Sequence, residues 1–339
     1  MNKTLFLLGA MALFTACKKT NVSNAENANP ENIKDVKFSL SKLAFSPVKQ
    51  GNGDYNYVGY GYDITGKYAD VNSVMEPVFN VPAFAAAYPQ RIDVGRSTSG
   101  GFRTLYAENA DDFLTQMTQR FDKGQTSRLF VKTLTNVYPG DDVLANKYIY
   151  AQYDYTVISK TIKAYLIDET AKRYLSAEFR NDVKGLAAKN LVKKYGTHVL
   201  SQLSLGAKFN VFYQAKTSDS RKLHSAMVGF TYALNNVFST LSGYLDDLKA
   251  ADVNAISEPN LIYEAIGGDA AAIVNKETAK GTVVWFHDWV KTCTNDKAVF
   301  VEILPKGLIP LYDLIDDEAK KTEVKNYITS YIEQSHVKS

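Results

Sequence analysis

Histidine and cysteine, the side chains most used for acid–base and metal chemistry near neutral pH, are few in this 339-residue chain. The four histidines, His198, His224, His287 and His336, are scattered, and no two have the spacing that puts a ligand pair on one helix face. There is no nucleophile elbow to make a hydrolase. No catalytic residue, metal or cofactor is assigned, and an enzyme is not expected. His198 reads as a buried structural histidine that ties a helix to a sheet.

The sequence has two cysteines. Cys17 follows a basic start (Lys3), an apolar run over residues 5–14 and the small pair Thr15-Ala16. That run is too short to span a bilayer and reads as a cleaved signal over residues 1–16. Leu13-Phe14-Thr15-Ala16-Cys17 resembles a lipobox, with Phe14 where an aliphatic residue is usual. Cys17 would then be the lipidated first residue of the mature chain. The other reading is an ordinary secretory signal with a chance cysteine. Residues 17–35 are polar and Asn-rich, unable to bury enough surface to offset their ordering entropy, and so form a flexible tether. The expected location is the outer membrane, as an exported lipoprotein at the cell surface or released. With Cys17 acylated, Cys293 stands alone as a small buried hydrophobe, and no intrachain disulfide is available.

Residues 36–339 show no dividing linker and form one domain. Their composition is ordinary: 45% hydrophobic and 22% charged over the whole chain. A net charge of +3 is too weak and dispersed for nucleic-acid binding. Tyrosine and phenylalanine, 22 and 17 residues, favour wide half-buried β surfaces.

Periodicity places the elements. Residues 111–121 read as a helix through Phe113, Leu114, Met117 and Phe121. Residues 176–194 read as helix, with Ser176 as cap. The cleanest strand has Leu203, Leu205, Ala207, Phe209, Val211, Tyr213 and Ala215 on one parity. Other strands are expected around residues 57–64, 129–137, 158–166, 260–266 and 298–303, and a closing helix over 317–334. Trp285 and Trp289, one helical turn apart, read as core. Long strands with helical stretches between them indicate an α+β fold.

Tyr195-Gly196-Thr197-His198, followed after seven residues by Gly206, resembles the signature of the membrane attack complex/perforin (MACPF) family. Val199 replaces an aromatic and Ala207 a second glycine of that signature. Gly59-Tyr60-Gly61-Tyr62 resembles the family's opening strand, and Gly267-Gly268 with residues 303–311 its closing part. The resemblance implies a bent four-stranded antiparallel sheet with two inserted helical clusters. It also implies a non-enzymatic protein that docks on a target membrane, through lipid, glycolipid or a surface receptor, and self-associates into a ring. In pore-forming members the clusters re-extend as amphipathic hairpins. Gly196 and Gly206 are read as backbone devices for a turn and a strand bend.

Only closed barrels or helices cross lipid, and a spanning strand needs about 9–11 residues of alternating faces. A second cluster over residues 216–258 satisfies both periods. Ala226, Val228, Phe230, Tyr232 and Leu234 alternate as a strand, while Leu234, Val237, Phe238, Leu241, Leu245 and Leu248 form a helical stripe. The first cluster is placed over residues 139–157, where Ile149, Ala151, Tyr153, Tyr155 and Val157 alternate. The reading is a pore-forming toxin, antibacterial or host-directed. The alternative is a non-lytic adhesion or binding protein on the same fold. Phe230→Asp is expected to abolish lysis and leave the soluble fold intact.

Overall fold

The computed structural model describes residues 36–43, 53–120, 128–140, 142–238, 248–278 and 281–335. The signal, Cys17 and the tether to residue 35 lie outside the described residues, as do Phe121, Leu241, Leu245 and His336. The strands are β1 (Ser39–Lys42), β2 (Tyr60–Tyr62), β3 (Val74–Pro77), β4 (Ile92–Gly95), β5 (Ser99–Ala107), β6 (Ile149–Ala164), β7 (His198–Leu200), β8 (Gln202–Thr217), β9 (Ile256–Ile266), β10 (Val274–Thr278), β11 (Gly281–Trp285), β12 (Val299–Ile303) and β13 (Leu308–Pro310). The helices are α1 (Val81–Ala87), α2 (Ala110–Gln119), α3 (Lys132–Thr135), α4 (Glu169–Lys172), α5 (Ala177–Gly185), α6 (Ala188–Tyr195), α7 (Lys222–Ala233), α8 (Ala250–Asn254), α9 (His287–Val290) and α10 (Glu318–Ser335).

The fold is α+β, around a sheet whose four main positions are antiparallel, with the short β1 added in parallel on the outer side of β9. Its centre is the pair β6–β8, sixteen residues each, registered from Ile149↔Ala215 to Lys163↔Gln202. Each outer position is filled by two segments in turn. Beyond β6 lies β5, from Ala107↔Tyr150 to Ser99↔Ile158, and then β4, from Gly95↔Thr161 to Ile92↔Ala164. Beyond β8 lies β9, from Ile256↔Thr217 to Ile266↔Lys208, and then β12, from Val299↔Gly206 to Ile303↔Leu203. The changeovers fall at one level, marked by bulges in β6 between Ile158 and Lys160 and in β12 between Phe300 and Glu302. A bulge bends and twists the strand that carries it.

The parity of β8 explains how this sheet is covered. Leu203 and Leu205 enter one apolar cluster, with the body of the molecule; Ala207, Phe209, Val211, Tyr213 and Ala215 enter a second, under α7 and α9. The body is completed by a small sheet of order β13-β7-β2-β3 and by α10, which buries Val324, Ile328 and Ile332. The β10–β11 hairpin stands as a separate two-stranded sheet.

Four sequence expectations are corrected. Residues 129–137 are not a strand: Leu129, Phe130, Val131, Leu134 and Val137 are buried around the turn α3, so packing overrides their β propensity. The opening strand shrinks to Tyr60–Tyr62, with turns before it. Residues 149–164 form one strand, not the arm of a helical cluster followed by a separate strand; the bulge at Ser159 shifts its parity. Trp285 ends β11, whereas Trp289 is buried in α9, so the two do not share a helix.

Candidate functional site

Both helical inserts leave the sheet at the same end. β5 ends at Ala107 opposite Tyr150, β6 begins at Ile149 opposite Ala215, and β8 ends at Thr217 opposite Ile256. The first insert is therefore residues 108–148, carrying α2 and α3, and the second is residues 218–255. This corrects the placement of the first cluster. Ile149, Ala151, Tyr153, Tyr155 and Val157 already lie in β6, with Ile149, Ala151 and Tyr153 in the core beneath α7.

The second insert lies where the sequence puts it. α7 is helical in spite of its Val, Phe and Tyr because a stripe at helical spacing, Ala226, Gly229, Phe230 and Ala233, packs onto the sheet. Phe230 lies between Tyr213, with ring centroids 5.5 Å apart, and Tyr106, at 6.3 Å. The helix runs into a π turn, Leu234–Phe238, and Phe238 meets Phe209 and Tyr263, both at 5.9 Å. Ala226, Val228, Phe230 and Leu234 are buried and Tyr232 is half-buried, while Leu223 and Met227 are exposed on the outer side of the same helix. A buried Phe230 means that Phe230→Asp would damage the soluble fold, contrary to the expectation from sequence. Where the insert returns to the sheet, Ser218 N–H donates to Ala255 O at 3.1 Å, and the Thr217 and Ser225 hydroxyls are 3.0 Å apart. His224 Nε2 and Asp252 Oδ2, 3.0 Å apart, join α7 to α8.

The signature residues form a junction in the body. Gly196 follows α6 at φ +74°, and a β-carbon there would stand 2.5 Å from Tyr62 C. Thr197 N–H and Oγ1 both donate to Tyr62 O, at 3.0 and 3.2 Å, and Thr197 Oγ1 accepts from Ile64 N–H at 3.1 Å. Tyr195 donates its hydroxyl to Asp182 at 2.7 Å. His198 opens β7, with Nδ1 3.1 Å from Thr197 Oγ1. The residue is half-buried, yet its surroundings desolvate the ring and lower its pKa to about 4. It is neutral at pH 7. The arrangement joins α6, β2, β7 and β13 and offers no reacting group.

Gly206, Gly267 and Gly268 come together elsewhere, at the changeover level of the large sheet. Gly206 faces the Val157 carbonyl with no room for a side chain. Gly267 lies against Gly206 and Ala207, and its carbonyl accepts from Trp289 Nε1 at 3.0 Å. Gly268 faces Trp289, Thr292 and Cys293. Burial raises the Cys293 thiol to about 11. The structure thus splits the signature in two: Tyr195, Gly196, Thr197 and His198 pin the body, and Gly206 with Gly267 and Gly268 occupies the level where the sheet changes neighbours.

The sequence did not disclose the polar face of the sheet. Arg103, Asp154, Asn210 and Glu264 are register partners across β5, β6, β8 and β9. Arg103 Nε contacts Asp154 at 3.3 Å and Asn210 donates to Glu264 at 2.7 Å. Lys67, from the body, pairs with Glu264. Lys208 is buried with its Nζ 5.0 Å from the Tyr68 ring centroid, and desolvation lowers its pKa to about 8. The signal available was the polar parity of β8; the partners depend on a register that no single strand reveals. β1 was also missed, although Val36, Phe38 and Leu40 alternate with Lys37, Ser39 and Ser41.

Among the described residues no group of three or more His, Cys, Asp or Glu side chains is placed to hold a metal ion, and no helix is long and apolar enough to cross a membrane. The profile of the MAC/Perforin domain family matches residues 142–339. This chain belongs to that family. Its MAC/Perforin fold is similar to the crystal structure of GNIP1Aa from Chromobacterium piscinae, with 18% identity and a TM-score of 0.66 over 85% of this chain and 57% of that one. It is also similar to a protein from Bacteroides thetaiotaomicron described as a cell invasion protein with a MAC/Perforin domain. There the identity is 14% and the TM-score 0.65, over 84% of this chain and 62% of the other. The chain spans less than two thirds of either relative, and the likeness is one of fold. No curated protein sequence matches it. The domain is of the pore-forming type.

Proposed function

We propose that this MAC/Perforin protein is exported, held by lipid at Cys17 or released, and acts as an antibacterial or host-directed pore former without enzymatic activity. It docks on a target membrane, joins other copies in a ring and extends its second insert as a membrane-crossing hairpin. One observation carries this reading: residues 218–255 fill the gap between two strands already paired at their open end, Thr217 with Ile256. Continuing that ladder would lengthen β8 and β9 by their own register. Ala226, Val228, Phe230, Tyr232 and Leu234 then share one face over nine residues, about the length a spanning strand needs.

A second reading, a non-lytic adhesion protein, draws on the first insert. Phe113, Leu114 and Met117 of α2 are fully buried in the main core, together with Phe130 and Leu134, so extending this insert would dismantle the body's own packing.

The test is dye release from vesicles, including vesicles of outer-membrane extract from related bacteria, with a Thr217→Cys/Ser225→Cys lock. The adjacent hydroxyls put these positions within reach of a disulfide. Leakage that the lock stops and reductant restores is the expected result. Binding to cells without leakage from any vesicle would favour the adhesion reading.

A further inference from the structure

The body carries an amphipathic cleft that lies apart from both inserts. α5 starts where the Ser176 hydroxyl accepts from Phe179 N–H at 3.1 Å, and its side chains then fall in two rows. Phe179 and Val183, four positions apart, make an apolar row, and Arg180 and Lys184 make a basic row beside it. With Leu175, Leu314 and Ile315 they line a cleft of about 440 Å³. Its floor is Leu175, Phe179, Leu314 and Ile315, all buried. That volume falls among those of small-molecule sites, about 300–1,000 Å³.

The charges on the rim are not balanced. Lys172 is taken up by Glu169 and Asp316, at 2.9 Å each, and Asp317 accepts from Lys320 N–H at 2.7 Å where α10 begins. Arg173, Arg180 and Lys184 line the same cleft, and among the described residues none of the three has an ion-pair partner. The Arg180 guanidinium donates to the Arg173 carbonyl at 3.3 Å, which leaves its charge uncompensated. Like charges at helical spacing repel, so an anion beside Arg180 and Lys184 would relieve them.

We propose that this cleft binds a single-chain amphiphile with a carboxylate head, a fatty acid. Its chain lies on the apolar floor, and its head is held by Arg173, Arg180 and Lys184 through charge-assisted hydrogen bonds. A neutral chain would leave the three cations uncompensated, and a small free anion would gain nothing from the floor. The cleft sits at the end of β6 remote from the inserts. α4 begins at Glu169, just beyond Ala164, whereas the inserts leave the sheet beside Ile149 and Thr217. Binding there is a property of the body and does not depend on hairpin extension.

The test is calorimetric titration of the delipidated full chain with laurate, kept below its micelle concentration, which is expected to show saturable binding. Dodecyltrimethylammonium, with the same chain length and a cationic head, should not compete for the site. Arg173→Gln/Arg180→Gln, with an unchanged circular dichroism spectrum, should weaken laurate about tenfold or more, as loss of hydrogen bonds to a charged group does. A diazirine-bearing fatty acid photolysed on the unsubstituted chain needs no variant to fold. Mass spectrometry should then find its label within residues 169–184 and 311–317. No saturable binding of laurate would overturn the proposal, as would equal affinity for the cationic amphiphile or labelling concentrated on α7. An acidic, leucine-rich peptide that binds the cleft more tightly than laurate would overturn it too, and make the cleft a protein-docking groove.

Discussion

Gly206 runs so close beside Val157 that its Cα faces the valine carbonyl with no space for a methyl group, and the same imagined carbon would stand 2.9 Å from Ile158 Cα. The contact lies beside the β6 bulge and at the point where β12 gives way to β9. β6 and β8 are thus drawn together where the rest of the sheet is interrupted.

Gly206→Ala is expected to destabilise the protein by about 1–3 kcal/mol, the range for overpacking a tight site. Gly101→Ala is the control, because a β-carbon there meets nothing within 4 Å. It should change stability by less than about 0.5 kcal/mol. Urea unfolding of both variants checks the contrast; equal effects would mean that β6 yields freely at Val157.

The Lys67–Glu264 ion pair joins the body to the C-terminal part of β9, with side chains 12% and 7% exposed. Lys67→Met leaves a buried carboxylate without its cation and should cost about 3–5 kcal/mol. Lys67→Met/Glu264→Gln should recover a large part of that loss, since the remaining amide can still pair with Asn210. Denaturation midpoints of the three proteins are the measurement.

His198 gives the fold an acid-side weakness. Its folded pKa is about 4 against an ordinary 6.5. Between those values the unfolded chain takes up a proton that the folded ring refuses, so stability falls as pH drops from about 6.5 towards 4. Above that window this residue contributes no slope. Melting temperatures from pH 8 to 4.5 should decline less steeply for His198→Gln than for the parent; parallel curves would mean the ring protonates freely in the fold.

Leu223 and Met227 are exposed on α7, 40% and 45%. Leu223→Ser/Met227→Ser should alter stability by less than about 0.5 kcal/mol, as surface substitutions do. The same change should weaken vesicle binding severalfold if this side of the helix makes the first membrane contact. Vesicle flotation measures it, and undiminished binding would direct attention to another surface.

How much of this was legible depends on what each element packs against. β8 could be read because its apolar parity is unbroken from Leu203 to Ala215, although that parity serves two cores and the polar parity is buried as well. Lys160 shares its parity with the apolar Ile158, Ile162, Ala164 and Leu166 and so marks the β6 bulge, but a single residue off pattern does not show that two strand-like stretches are one strand. Residues 129–137 misled because Val, Thr and Phe suit a buried turn as well as a strand. The split of the signature into a junction and a sheet level was beyond reach, since His198 and Gly206, eight positions apart, belong to different sheets.

Among the described residues only β6 and β8 run as continuous strands through the level of Gly206; their outer neighbours stop and are replaced there. The upper half of the sheet is thus continuous with the body through two strands, while α2 on one side and the Lys67–Glu264 pair on the other hold it there by packing and charge. A torque on β5 or β9 has no unbroken outer rail to resist it, and the load concentrates at Ile158 and Gly206.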